Sequence, residues 1–252
     1  MSILRHMFSR SWIIATVLVL AGAAVCVRLG IWQLDRLDQR RAFNDQVTSM
    51  RMLSSLDLNA DESADVATME YRAVIASGTY DFENQIAIRN QYYEGRYGYH
   101  ILTPLLLPNG QAVLVDRGWI PSEGNDSPAG WTRYATASPA EVRGVMRLGA
   151  ENPRFGGVPD PTLTPDQSRL DIWNFVNIER IQAQVSYLLL PVYIQLDVDA
   201  NDVEPPISVQ PIIELTEGPH FGYALQWFSF AAILLIGYPF YIRKQTTELT
   251  SQ

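Results

Sequence analysis

Tyr223 to Ile242 reads YALQWFSFAAILLIGYPFYI, twenty residues without a formal charge, and His220 stands just ahead of it. As an α-helix such a run rises about 30 Å, the thickness of a bilayer's hydrocarbon core. A second apolar run lies near the other end of the chain. Ser11 to Val27, SWIIATVLVLAGAAVCV, has seventeen residues, and Leu29, Ile31 and Trp32 prolong its apolar face. The reading is a membrane protein of α+β class, with two transmembrane helices flanking a loop of 195 residues. That length suits one domain with its own core. The chain divides into a cytoplasmic leader (1–10), a first span (11–32), an extracytoplasmic β-rich domain (33–219), a second span (220–242) and a cytoplasmic tail (243–252).

The loop carries fifteen arginines and no lysine against twenty-six acidic residues, a net charge of about −11. Such a surface repels phosphate backbones, so nucleic acid is excluded as an expected partner. Cys26 lies inside the first apolar run, which leaves the loop without a disulfide or a cysteine-based metal site. Flanking charge orients the second span: Glu214 and Glu217 precede it, Arg243 and Lys244 follow it, and positive residues favour the cytoplasm. Two spans then place the loop outside. A cleaved signal peptide over residues 1–23 is the competing reading, with Arg5 and Arg10 before a short apolar core. No acid-poor, amphipathic transit leader precedes Ser11, which points to a bacterial plasma membrane.

Leu29 to Met52 has helical periodicity, for Leu29, Trp32, Gln33 and Arg36 fall at i, i+3, i+4 and i+7. On spacing alone, Trp32 and Arg36 read first as interfacial anchors. Asp57 to Thr68 is polar and reads as a loop. Strand signals follow at Tyr71–Gly78, Gln85–Arg89, Tyr97–Leu106, Gln111–Arg117, Glu141–Arg147, Ile172–Val176 and Val192–Val198, with a short helix at Ile178–Val185. Leu107-Pro108-Asn109-Gly110 predicts a hairpin, since Pro presets one turn dihedral and Asn-Gly accepts positive φ. Gly118–Pro139 and Asn152–Asp166 read as loops, and Asn201–Pro211 as a connector. Successive strands without βαβ alternation predict a mostly antiparallel barrel or sandwich.

Catalytic signatures are sparse. There are three histidines, His6, His100 and His220, and no phosphate-binding glycine motif or paired-histidine zinc spacing. Asp81 with Glu83, and Asp197 with Asp199, alternate at strand spacing and read as solvated strand ends. The chain is therefore expected not to be an enzyme. His100 is expected to meet a backbone carbonyl. His220, Tyr223 and Trp227 fall at i, i+3 and i+7 on one helix stripe, with Gln226 nearby. On pattern alone His220 reads first as a polar residue capping the span at headgroup level; a neutral imidazole among aromatic side chains also suits an axial ligand to haem iron.

Four segments together resemble the Surfeit locus protein 1 family, membrane-bound assembly factors of haem-copper cytochrome c oxidase. They are LGIWQLDR (Leu29–Arg36), YRAVIASGTYD (Tyr71–Asp81), GYHILTPLLLPNGQAVLVDRGWIP (Gly98–Pro121) and HFGYALQWF (His220–Phe228). Their order and spacing match the family over nearly the whole chain. Two places depart from its pattern: Gln39-Arg40, where the family often has an aromatic and a lysine, and Glu217-Gly218-Pro219, where asparagines are usual.

The resemblance implies a non-enzymatic haem chaperone of the respiratory chain that binds haem a and assists its insertion into the oxidase's largest subunit. It implies His220 as the iron (metal) ligand, Tyr223 and Trp227 as walls of the macrocycle, and Trp32, Gln33 and Arg36 closing the other side. Arg36 and Arg117 are the candidates for the haem propionates, because a guanidinium takes carboxylates bidentately. Its implied partners are the membrane, cytochrome c oxidase subunit 1 and haem a synthase, with room for a homo-oligomer. The rival reading is a non-haem scaffold that holds an oxidase assembly intermediate through its β domain, with Trp119 and Trp131 as exposed docking residues.

Overall fold

The computed structural model describes residues 3–60, 65–153, 155–163, 169–199 and 203–250. Parts of three predicted loops, 61–64, 154 with 164–166, and 201–202, lie outside the described residues. The chain forms two compact units, one of residues 1–46 with 214–252 and one of residues 47–213.

The first unit is a pair of long helices preceded by a short one, α1 (Ile3–Met7). Helix α2 runs unbroken over Ile13–Met52, about 60 Å at 1.5 Å per residue, and α5 covers His220–Thr250. Both contain windows long and apolar enough to cross a membrane. The two are antiparallel. Thr16 meets Tyr238 through their hydroxyls at 2.8 Å, while Gln33 meets His220 at 2.8 Å. Thr16 donates to Met7 O, which leaves its oxygen to accept from Tyr238. Thr16, Ala23 and Gly30 recur every seven residues on α2 and are buried, as are Ala224 and Ala231 on α5. Small side chains at that spacing let two helices approach closely in an apolar solvent, where packing replaces the hydrophobic drive. At Gly30 a Cβ would stand 2.6 Å from the Phe228 ring, so any larger residue would have to displace that ring.

The second unit is an eight-stranded sheet. Its strands are β1 (Leu56–Asp57), β2 (Ala73–Tyr80), β3 (Ile86–Tyr93), β4 (Arg96–Leu106), β5 (Ala112–Pro121), β6 (Ala140–Leu148), β7 (Ile172–Trp173) and β8 (Leu189–Leu196). Short helices α3 (Pro128–Trp131) and α4 (Ile178–Gln182) interrupt them. The order is β1-β2-β6-β8-β5-β4-β3-β7, and a further pairing of β2 with β4 closes β2-β6-β8-β5-β4 into a barrel. The ladders are antiparallel except β1–β2, β3–β7 and β5–β8.

The apolar run of β5 follows from its place. A strand buried on both faces cannot alternate apolar with polar residues. Val113 and Val115 join the core that also holds Val74, Leu105, Met146 and Ile194, while Ala112 and Leu114 join a second core with Ile86, Trp173 and Ile181. The β4–β5 turn is the predicted one: Gly110 has φ +85° and donates to Leu107 O, and Asn109 Oδ1 accepts from Gln111 N.

Several elements differ from the sequence reading. β5 does not stop at Arg117 but runs to Pro121, because Gly118 absorbs a β-bulge and Trp119 pairs with Ile207 of the connector. The 172–176 strand shortens to Ile172–Trp173. Trp119 and Trp131 are not docking residues, being 1% and 0% exposed. Trp131 is a core side chain whose Nε1 donates to Asn125 O at 2.8 Å, and an apolar ring with a satisfied N–H belongs inside a domain. Trp119 packs at a tilt against Tyr93, while its buried Nε1 has no partner among the described residues.

Candidate functional site

Helix α5 starts where its sequence says it must. Pro219 precedes the first helical residue, and its carbonyl accepts from Tyr223 N at 3.1 Å. A missing N–H costs nothing there, since the first helical donors have no intrahelical partner. Gly218 turns the chain in with φ +69°. His220 therefore opens the helix, half-buried, with its ring toward α2.

Nδ1 of His220 lies 2.8 Å from Oε1 of Gln33. The amide oxygen can only accept, so in this contact Nδ1–H of His220 is the donor and Nε2 stands outside the bond. A Cβ on Gly218 would sit 3.4 Å from Cδ2 and 3.6 Å from Nε2. Glycine thus leaves that edge of the imidazole uncovered.

The other predicted helix residues divide into two groups. Trp32 and Arg36 are stacked, the guanidinium 5.6 Å from the ring centroid, and Arg36 Nη1 also donates to Gln39 Oε1 at 2.9 Å. Tyr223 and Trp227 follow His220 on α5. Trp32 and Tyr223 are 42% and 49% exposed, a large aromatic surface for a helix pair, whereas Trp227 is turned edge-on against Phe230.

One set of contacts was not foreseen. Arg40 donates to the carbonyls of Glu214 and Thr216, at 2.5 and 2.9 Å, and Arg41 makes two bonds to Glu217, at 2.9 and 3.0 Å. These bonds fasten the segment before α5 to α2 and so set where His220 begins. The hydrogen bond and then the charge of Glu217 raise the Arg41 pKa, and the same contacts lower that of Glu217. Glu214 and Glu217 were legible only as an orientation signal.

Arg117 belongs to the sheet unit. It is 4% exposed, its guanidinium lies 5.4 Å from the Tyr80 ring and 5.2 Å from Phe82, and Nη2 donates to Tyr134 O. Burial lowers its pKa, and Nη1 has no partner among the described residues. Burial likewise raises the Tyr80 phenol to about 12, against the opposing charge of Arg117. The contact that Arg117 makes here is a carbonyl cap. Asp116 turns instead to His100, whose expected backbone carbonyl is thus replaced by a carboxylate at 2.9 Å. A buried imidazole N–H gains more from an ionised acceptor than from a neutral one.

Comparison with known proteins matches residues 20–232 to the model of the SURF1 family. An uncharacterized SURF1-like protein of Mycobacterium bovis is 27% identical over 233 residues, covering 90% of this chain and 81% of that protein. A SURF1-like protein of Rickettsia felis is 25% identical over 231 residues, 89% of this chain and 95% of its own length. One from Monosiga brevicollis is 26% identical over 242 residues, 90% and 87% respectively.

Proposed function

Because this chain belongs to the SURF1 family, we propose that it is an accessory factor in the biogenesis of haem-copper cytochrome c oxidase, binding haem a and assisting its insertion into subunit 1. The observation that carries this reading is the contact of His220 Nδ1 with Gln33 Oε1 across the helix pair. An Nδ1–H held by an amide oxygen leaves Nε2 outside the bond, and Gly218 leaves that edge of the ring uncovered, the arrangement that suits an iron-ligating imidazole. When bound, haem a supplies the iron that Nε2 ligates and the two propionates that seek cations.

The chain's own residues then have distinct tasks. Gln33 orients the ligand ring across the helix pair. The exposed faces of Trp32 and Tyr223, with Trp227 deeper on α5, offer apolar walls, and Arg36, held over Trp32, is the cation for a propionate. Arg117 already spends one nitrogen on Tyr134 O, so in this reading only its unpartnered Nη1 is available to an anion.

The same reading places both termini in the cytoplasm of a bacterium, the sheet unit outside the plasma membrane, and oxidase subunit 1 and haem a synthase as partners, with self-association open to test. It assigns no catalysis. The experiment is an absorption spectrum of the detergent-purified protein from a host that makes haem a, with a pyridine extract to identify the pigment. A near-stoichiometric haem a signal that His220→Ala abolishes supports the carrier. A colourless protein that co-purifies with oxidase subunits returns the function to scaffolding.

A further inference from the structure

The sheet unit holds a second histidine site that the haem reading does not use. His100 on β4 and Asp116 on β5 are joined through Nδ1, 2.9 Å from Oδ2 and 3.1 Å from Oδ1. Their side chains are only 14% and 7% exposed. A β-bulge builds the pair. His100 is opposite Trp119, Ile101 opposite Gly118, and Leu102 opposite Asp116, so Arg117 is the extra residue. Such an insertion re-aims the neighbouring side chains. Asp116 Oδ1 also accepts from Gly118 N at 3.1 Å, which fixes the carboxylate. Gly118 has φ +118°, and a Cβ there would lie 2.3 Å from Ile207 O, so no other residue fits the bulge.

The pair lines a cavity of about 380 Å³ whose walls include Ile88, Leu102, Val176, Val209 and Tyr193. Gln195, also on its wall, is already engaged: its Nε2 donates to Val209 O and its Oε1 accepts from Arg147. With Nδ1 taken by Asp116, the imidazole has no other hydrogen bond among the described residues. The cavity thus combines an oriented imidazole, whose Nε2 is outside the bond to Asp116, with apolar walls and the polar edges of Gln91 and Tyr92, the mixed composition of a small-molecule site.

Charge selects the ligand. A carboxylate would bring a second negative charge toward Asp116 in a desolvated space, and a cation would meet the imidazolium when His100 is protonated. Burial lowers the His100 pKa, but the charge and hydrogen bond of Asp116 outweigh it and the net shift is upward. A ligand group must therefore suit both protonation states. A hydroxyl does, because it donates to neutral Nε2 and accepts from Nε2–H without adding charge. We propose that this cavity binds an uncharged, mainly apolar molecule of the phenol or alcohol class through a single hydroxyl held on Nε2 of His100.

The chain has three histidines, so ¹⁵N-histidine labelling of the full-length protein in detergent isolates His100 once His100→Ala has assigned its signals. The probe is 4-ethylphenol, with ethylbenzene and 4-ethylbenzoate as comparators. The site predicts a saturable shift of the His100 nitrogens with the phenol, and binding weaker by at least about tenfold for either comparator and for Asp116→Asn. Val209→Phe, which fills the cavity and leaves the pair intact, is expected to lose the phenol response while keeping the Nδ1 signal of the bond to Asp116. His100 signals unmoved by the phenol, equal binding of ethylbenzene, or undiminished binding in Val209→Phe would each overturn the site.

Discussion

Nδ1 of His220 and Oε1 of Gln33, 187 positions apart in the chain, are 2.8 Å apart across the antiparallel helix pair. Gln33 therefore engages Nδ1 and leaves Nε2 outside that bond. The register that makes this contact is set by small residues at a seven-residue spacing and, at the far end, by Thr16 and Tyr238.

If Gln33 orients a metal-ligating ring, then Gln33→Leu should keep both helices and weaken haem retention by about ten- to a hundredfold, the usual cost of losing such a support. Gln33→Glu, which retains an acceptor, should lose far less. The check is the rate at which pigment transfers from the purified protein to apomyoglobin. Equal rates for wild type and Gln33→Leu would remove Gln33 from the site.

Gly118→Ala should destabilise the sheet unit by about 1–3 kcal/mol or more, since it combines positive φ with a backbone atom at the Cβ position. Gly110 shares the positive φ but has open space around it, so Gly110→Ala should cost less, about 1 kcal/mol. Urea unfolding followed by tryptophan fluorescence separates the two; similar midpoints would mean that the approach of Ile207 is not a constraint.

Trp131→Ala should cost about 3–5 kcal/mol, as expected for a large core side chain with a satisfied N–H. A surface docking residue would change stability by about 0.5 kcal/mol or less. Thermal unfolding decides between them.

The His100–Asp116 bond links stability to pH. The folded-state pKa of His100 is raised, so the charged pair stabilises fully below the unfolded value of about 6.5 and loses its contribution as pH rises through the folded value. The gap in unfolding temperature between wild type and Asp116→Asn should therefore be widest at mildly acidic pH and narrow as the buffer becomes alkaline. A gap that widens with pH contradicts this assignment.

Much of the architecture was readable in advance because its causes are local. The two charge-free runs, the Pro-Asn-Gly turn and the apolar run of β5 each carry a short-range signal. What stayed hidden depends on pairing at a distance. Gly118 is a bulge signal, but it also opens the Gly- and Pro-rich stretch that reads as a loop, so the extension of β5 through Trp119 and the meeting of His100 with Asp116 stayed hidden. The closure of β2 on β4 likewise involves only two residue pairs, Thr79 with Leu106 and Tyr80 with Leu105. In the helix unit, periodicity puts Gln33 and His220 each on a helix stripe, and only the resemblance puts them at one site. Arg40 and Arg41 were passed over because an arginine beside a span reads as topology until its partner carbonyls are in view.

The most direct test of the central claim is the spectrum of the purified protein beside its His220→Ala variant, both from a host that makes haem a. The account predicts a Soret band and a haem a pyridine derivative near one equivalent in the wild type, and their loss in the variant with membrane insertion unchanged. Pigment that persists in His220→Ala would contradict the assignment of His220 as the ligand.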